Sequence, residues 1–514
     1  MNKVDPLYSI PAFYAGKSVF ITGASGFMGK ILMEKLLRSC PDIREIFILV
    51  RGKRGAGVDD RLRKMLALPV FDRLRKECPS AFDKVIPIAG NTAEEGLAIP
   101  DVERRVLIER VSVIFHVAAS VRFDDSLKDA IFLNTRSTRD ICIIAAQMKN
   151  LKVFVHVSTT YCQADKPDVE ERVYSFDVDW KKAITIAEKV DAELLKPLTA
   201  KYLDNFPNTY TFTKRLAEQI VSDYSHVIPC VIFRPSIVIS SLSEPIAGWI
   251  DNFNGPVGMM IGGGKGILRI LFGDERLNAD FIPVDIAIKA MLTASWKRGL
   301  IPITADKSVH VYNCASADVK SVSFEELNNM GMRVIHEYPL EGNIWRPGAF
   351  HTKSKTVYYI LVLLLHLLPG MVVDAIIKST GRKPMLVNLH RKIYSANSAL
   401  AYFLMNQWNF QNAKMRSLLS DVPPADVDDF GYEYASFDVN LYFKQCLIAA
   451  KQYLLKEDLA NLPAARLHYE RMVWIDKIFK TFFAAFIIWM SFHSGLINWT
   501  LSTLDSFGTI LTST

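Results

Sequence analysis

Runs of apolar, largely β-branched residues recur along the N-terminal part of the chain, at 17–21, 45–50, 85–88, 113–117, 153–157 and 230–233. Each is short enough for a strand and lacks polar alternation, the pattern of strands buried on both faces. Longer stretches with helical periodicity lie between them, among them 30–39, stopped by Cys40-Pro41, then 126–149 and 210–222. Strand–helix alternation predicts an α/β fold: a doubly wound parallel sheet with helices on both faces. No internal repeat or low-complexity tract interrupts it.

The alternation fades after about residue 317. An apolar stretch at 357–368, followed by Pro369-Gly370, is too short to span a bilayer comfortably, so a core helix is expected there in preference to an interfacial one. The segment 394–452 reads as helical. Between Thr481 and Leu504 no Asp, Glu, Lys or Arg occurs, and 482–490 is strongly apolar. This is long enough for a transmembrane helix. Arg466, Arg471, Lys477 and Lys480 precede it and only Asp505 follows, which places the bulk of the chain in the cytosol. His493, Ser494, Gly495 and Asn498 dilute its second half and keep a buried or interfacial helix open as the alternative. The expected division is a domain over 1–316, a mainly helical C-terminal domain over 317–474 and a membrane-anchoring tail over 475–514.

Composition narrows the classes. A net charge of +7 over 514 residues is far from the basic stripe of a nucleic-acid binder. Seven scattered cysteines and ten dispersed histidines give no disulfide framework and no metal site. Residues 1–6 are polar and lack the apolar core of a secretory signal.

Thr22-Gly23-Ala24-Ser25-Gly26-Phe27-Met28-Gly29 follows the first strand and opens a helix. Three glycines at this spacing serve a tight turn, close approach to a pyrophosphate and close helix–strand packing, so a Rossmann-like dinucleotide site is expected. Thr22, Gly23, Ser25, Gly26, Phe27, Met28 and Gly29 are its candidate residues. The second strand ends in Arg51-Gly52-Lys53-Arg54 instead of the acid that would hold a ribose 2′-hydroxyl. Arg51 and Lys53 would meet a 2′-phosphate, which favours NADPH; the alternative is a solvated basic loop.

The strand at 153–157 runs into Ser158-Thr159-Thr160-Tyr161, placing hydroxyls at a carboxyl end that faces the ligand crevice. Tyr210 and Lys214, four apart, share one face of a helix. A neighbouring ammonium is expected to lower the tyrosine pKa, so that Tyr210 can protonate a carbonyl oxygen as hydride reaches the carbon. Thr159 or Ser158 would donate a second hydrogen bond.

Glycine turn, hydroxyl-bearing strand end and Tyr/Lys helix, in that order, resemble the extended branch of the short-chain dehydrogenase/reductase superfamily. His116-Val117-Ala118-Ala119 and Asn134 also match it. The resemblance implies that 116–119, with Ala118 and Ala119, line the cofactor, that Asn134 belongs to the site and that Lys214 contacts the nicotinamide ribose. Thr159 matches the catalytic hydroxyl position better than the adjacent Ser158.

The chain is further similar to fatty acyl-CoA reductases at 9–14, 34–38, 157–161, 207–218, 248–256 and 262–266, and through the C-terminal region to the tail. Asn91 stands where an aspartate near the adenine is common, Thr160 where alanine is usual and Met28 where leucine is. This resemblance implies reduction of a long-chain acyl-CoA by two NADPH, through an aldehyde, to a primary alcohol with release of CoA. Fatty alcohols of this kind feed wax and ether lipid synthesis, and peroxisome and endoplasmic reticulum both accept such tails. Membrane lipid is an expected partner, and a homo-oligomer is left open. A membrane-bound hydroxysteroid dehydrogenase or sugar epimerase of the same superfamily is the alternative enzyme, and a non-catalytic lipid-handling scaffold the alternative from another class.

Overall fold

The computed structural model describes residues 9–52, 57–316 and 319–493. Its centre is a seven-stranded parallel sheet of β1 (Ser18–Thr22), β2 (Glu45–Val50), β3 (Val85–Ala89), β4 (Val111–His116), β5 (Val153–Val157), β6 (Cys230–Pro235) and β7 (His310–Cys314), in the order β3-β2-β1-β4-β5-β6-β7. The order reverses between β1 and β4, and a crevice for ligands opens at the carboxyl ends there. The expected strands are all present; the edge strand β7 is additional.

The absence of polar alternation has its explanation in two cores. Val19 and Ile21 of β1 face the first, with Ile31, Leu32 and Leu36 of α1 (Phe27–Ser39) and the buried helix Val284–Gly299. Phe20, between them, faces the second, with Phe212, Leu216 and Ile220 of α2 (Thr209–Tyr224).

The C-terminal region is mainly helical, as expected, but the 394–452 segment is not helical throughout. Between the helices Leu386–Met405 and Val439–Ala449, the chain runs back along the sheet domain: Asn409–Phe410 pairs with Asp168–Val169, and Met415, Phe430 and Tyr432 enter the first core. The buried carboxylate of Glu171 receives the N–H groups of Asn313 and Met415 at 3.1 and 2.9 Å, fastening this return to β7.

The core-helix expectation at 357–368 does not hold. The helix continues through Pro369-Gly370 to Ser379, and 17% of its apolar window is buried. A π-turn over Leu363–Leu367, immediately before the proline, absorbs the hydrogen bond and the space that the ring would otherwise break. Lys355–Ser379 is the one helix among the described residues long and apolar enough to cross a membrane. The last helix, Leu462–His493, is tied to the body at Asp476, which accepts from Trp345 Nε1 at 2.7 Å and pairs with Arg346 at 3.4 Å. Beyond Lys480 its apolar side chains, Phe482, Phe483 and Phe486 to Met490, are exposed. Residues 494–504 of the expected span lie outside the described residues.

A charge cluster joins α1 to the C-terminal return. Glu244 pairs with Lys35 at 3.0 Å, Arg38 at 2.6 Å and Lys289 at 2.8 Å, while Asp429 pairs with Lys35 at 3.2 Å. Burial pushes the Glu244 carboxyl up, but Lys35, Lys289 and Arg38 outweigh it and hold the group down at about 2. A carboxyl depressed on folding stabilises above its unfolded pKa and loses that contribution as pH falls through the folded value. Denaturant midpoints of wild type and Glu244→Gln, measured against pH, are therefore expected to differ most above about pH 4.5 and to converge below it.

Candidate active site

The glycine turn fits a dinucleotide because no larger residue fits the turn. Gly23 has φ +79°, and a Cβ on it would lie 2.6 Å from the Ala118 nitrogen; a Cβ on Gly29 would lie 2.2 Å from the Gly23 carbonyl oxygen. β1, the loop after β4 and the start of α1 thus meet without side chains between them. Gly26 caps α1 with no side-chain hydrogen bond, which leaves the first N–H groups to an anion in the crevice. Thr22 is buried with its hydroxyl 2.7 Å from His116 Nδ1, and it accepts from the Ala118 N–H at 3.3 Å. Ser25 is exposed and Met28 half-buried at the rim. Phe27 stacks on Trp249 at 5.5 Å, and Lys30 pairs with Asp251. The 248–256 stretch therefore braces the turn, a role with no sequence signal beyond the resemblance.

Arg51 is exposed at the carboxyl end of β2, and its carbonyl accepts from Arg61, a further cation beside the same corner. Lys53 lies outside the described residues. Asn91, after β3, closes a local turn, its amide oxygen accepting from the Ala93 N–H at 3.2 Å. Ala118 and Ala119 are half-buried in the loop that faces the glycines. Asn134 sits in a π-turn (Ile131–Arg136) and is buried; its amide accepts from Ser120 N at 2.8 Å and donates to Ser120 O and Thr213 Oγ1 at 3.1 and 3.0 Å. Its side chain is spent on clamping the loop after β4 against α2, so its part in the site is to position. His116 is similarly enclosed between Thr22 and Thr138, and burial pushes its imidazole down to about 3, so it stays neutral.

Asn208 caps α2 by accepting from the Thr211 N–H at 2.9 Å, which places Tyr210 in the first turn and Lys214 one turn further in. The Lys214 ammonium is enclosed and donates to the Val157 carbonyl at the end of β5, at 2.6 Å. Burial lowers its pKa to about 8. Below it, Glu218 and Arg234 form a buried bidentate pair at 2.7 Å that holds α2 on β6. The two candidate hydroxyls point to different neighbours. Thr159 lies beside Tyr210 and accepts from the Tyr161 N–H at 3.3 Å, whereas Ser158 lies beside Glu218 with its hydroxyl 3.7 Å from Cys162 Sγ. Burial pushes the Tyr210 phenol up, the Cys162 thiol adds to this and the neighbouring Thr159 hydroxyl opposes it. The expected downward pull of Lys214 is not among these influences; its ammonium is turned to a backbone carbonyl. Tyr210 is thereby kept as a phenol, a proton donor.

Aromatic rings cover this group. Phe123 stacks on Tyr210 at 5.9 Å and meets Phe403 at 5.4 Å; Phe403 also packs edge-on to Tyr161 at 5.3 Å. Neither phenylalanine carried a signal in the sequence, since Phe403 arrives from the far C-terminal region.

Two profiles of a family described as male sterility protein match the chain, an NAD-binding one over residues 21–291 and a second, Sterile, over residues 365–457. Fatty acyl-CoA reductase 1 of Xenopus laevis is 37% identical over 486 residues, covering 95% of this chain and 94% of that protein. Fatty acyl-CoA reductase 1 of Homo sapiens is 36% identical over the same shares, and fatty acyl-CoA reductase 2 of Homo sapiens 34% identical over 93% and 92%. In fold, the terminal reductase domain of the myxalamid PKS-NRPS pathway superposes with a TM-score of 0.56 at 18% identity, covering 89% of this chain and 97% of that one. The reductase domain of a Mycobacterium tuberculosis nonribosomal peptide synthetase does so at 0.55 and 16%, over 87% and 96%.

The turn's geometry is tested by comparing two glycines. Gly29→Ala is expected to push α1 off the turn, costing roughly 1–3 kcal/mol of stability and most of the dinucleotide affinity. Gly52→Ala, with open space around it, should leave both close to wild type. Urea midpoints and fluorescence titration with the reduced cofactor read the two effects.

Proposed function

The chain belongs to the fatty acyl-CoA reductase family and is an oxidoreductase with a nicotinamide-dinucleotide fold; from this we propose that it reduces a long-chain fatty acyl-CoA to the primary alcohol with two NADPH in succession, releasing CoA. The observation that carries the reading is the placement of Thr159 beside the buried Tyr210 at the carboxyl end of β5, with Lys214 one helical turn behind and bonded to the Val157 carbonyl. Bound NADPH supplies hydride to the substrate carbon. The protein's part concerns the oxygen.

As negative charge grows on the carbonyl oxygen, Thr159 donates a hydrogen bond and Tyr210 delivers its proton. A phenol whose pKa burial has raised remains protonated until the oxygen becomes basic enough to take the proton. Lys214, a cation below about pH 8, is held on the Val157 carbonyl while Tyr210 is a phenol; once a phenolate forms, this ammonium one helical turn away is the cation that turns to it. Reduction of the thioester leaves a tetrahedral carbon bearing a hydroxyl and sulfur; as the C–S bond breaks and expels the CoA thiolate, the Tyr210 phenolate takes back the hydroxyl proton, leaving an aldehyde and Tyr210 again a phenol. The aldehyde oxygen develops charge in the same place, so the same three residues serve the second reduction. Arg51 and Arg61 at the end of β2 support a 2′-phosphate and hence NADPH. The exposed apolar helix after Lys480 supports a C-terminal membrane anchor, with the catalytic domain on the cytosolic face of peroxisome or endoplasmic reticulum.

The test is acyl-CoA-dependent NADPH oxidation by detergent-solubilised protein given palmitoyl- or stearoyl-CoA, with the products identified. Tyr210→Phe and Thr159→Val are each expected to lose about 10²–10⁴-fold in kcat, and Ser158→Ala to stay close to wild type. Equal losses for Ser158→Ala and Thr159→Val would contradict the assignment of the hydroxyls. Turnover should also fall as pH rises through about 8, the value to which burial lowers Lys214, because the ammonium is lost there. A rate that stays level to pH 10 would remove Lys214 from the mechanism.

A further inference from the structure

Residues 355–405 form a helical hairpin, Lys355–Ser379 followed by Leu386–Met405, with a turn at Gly381. Its foot is fastened to the body. Asn397 is buried and accepts from the Phe272 N–H at 3.4 Å; His366 accepts from the Arg269 N–H at 3.0 Å; the Leu404 carbonyl accepts from Asp274 N at 2.9 Å. Beyond His366 these fastenings to the body stop and the hairpin continues with its apolar side outward. Leu368, Met371, Val372, Ile376 and Met385 are exposed at its tip, continuous with exposed Ile360, Leu363 and Leu364 lower down.

The charges of the tip are of one sign. Lys378, Arg382, Lys383, Arg391 and Lys392 are exposed and form no ion pair with a described residue. Asp374, the one acid between 367 and 392, is spent on the second helix, where it accepts from the N–H groups of Met385, Leu386 and Val387 at 2.9 Å each. An apolar ridge with a basic rim matches the acyl and headgroup layers of an anionic bilayer surface. Length decides between spanning and dipping. The free part of the first helix, Leu368–Ser379, rises about 18 Å at 1.5 Å per residue, well short of the ~30 Å hydrocarbon core.

We propose that this hairpin is a monotopic membrane element: its tip enters one leaflet of an anionic phospholipid bilayer without crossing it. The return helix supports the placement, because it leads from that tip to Phe403, which packs on Phe123 over Tyr210. A substrate leaving the leaflet along the hairpin would arrive at the catalytic group. That last step rests on the reductase reading; the insertion itself does not, and it is measured without turnover.

The experiment uses the full chain carrying Val372→Cys in a Cys78→Ser background, the remaining cysteines being buried. The new thiol is labelled with an environment-sensitive nitrobenzoxadiazole. The protein is reconstituted into vesicles of phosphatidylcholine alone or with phosphatidylserine. Reading the depth of one residue, and not the partition of the whole chain, keeps an anchor elsewhere from masking the result. Insertion predicts a blue shift and quenching by shallow spin-labelled lipids more than by deep ones, stronger with phosphatidylserine. Replacing Lys378, Arg382 and Lys383 by Gln should abolish that dependence on phosphatidylserine. A probe as water-exposed in both vesicles as in buffer overturns the proposal. So does strongest quenching at the bilayer centre, which means a span, and so does shielding that grows with protein concentration before lipid is added, which means a second copy.

Discussion

Lys214 buries an ammonium, and much of the surrounding structure is arranged so that this is tolerable. A buried charge destabilises a fold unless it is hydrogen-bonded and paired. Here its bond goes to the Val157 carbonyl, an acceptor available because β5 ends at that residue. The Ser158 N–H in turn donates to the Phe233 carbonyl at 2.7 Å, fixing the strand end that carries the hydroxyls. One turn along α2, Glu218 is neutralised by Arg234, so the helix presents one cation to the site and no net charge beneath it. Tyr210, Lys214 and Glu218 occupy one helical face for this reason: the proposed proton donor, the buried cation and the anchoring pair, each a turn apart.

The same economy of space governs the cofactor end. Gly23 and Gly29 let β1, α1 and the loop after β4 touch directly, and Asn134 holds that loop to α2. The two halves of the site, phosphate cradle and hydroxyl pair, are therefore coupled through one loop, the one that also carries Phe123. The C-terminal region completes the enclosure from outside. It sends Trp408 and Phe410 against Tyr161, and Phe403 against Phe123.

The parallel sheet was legible in the sequence because buried strands must be apolar on both faces, a constraint that leaves uninterrupted runs. The placement of the glycine turn and of Tyr210 and Lys214 on one helix was legible because a strand–glycine–helix turn and a spacing of four fix local geometry. What escaped was governed by partners distant in sequence. The apolar run at 357–368 predicts a core helix because apolarity does not tell whether its partner is protein or lipid, and Pro369-Gly370 predicts a break in a helix that in the structure runs on through a π-turn. The mixed character of 406–438 depends on bonds to Glu171, Asn313 and Ala315, none near in sequence. Thr159 and Ser158 could be ranked only by resemblance, because their separation depends on where Tyr210 and Glu218 stand in space.

One group of residues acting twice on the same oxygen is the central claim, and isotope transfer tests it most directly. With palmitoyl-CoA and NADPH carrying deuterium at the transferred position of the nicotinamide, the account predicts hexadecanol with both C1 hydrogens replaced by deuterium. Free singly deuterated aldehyde accumulating without alcohol, or an alcohol with only one deuterium, would contradict it.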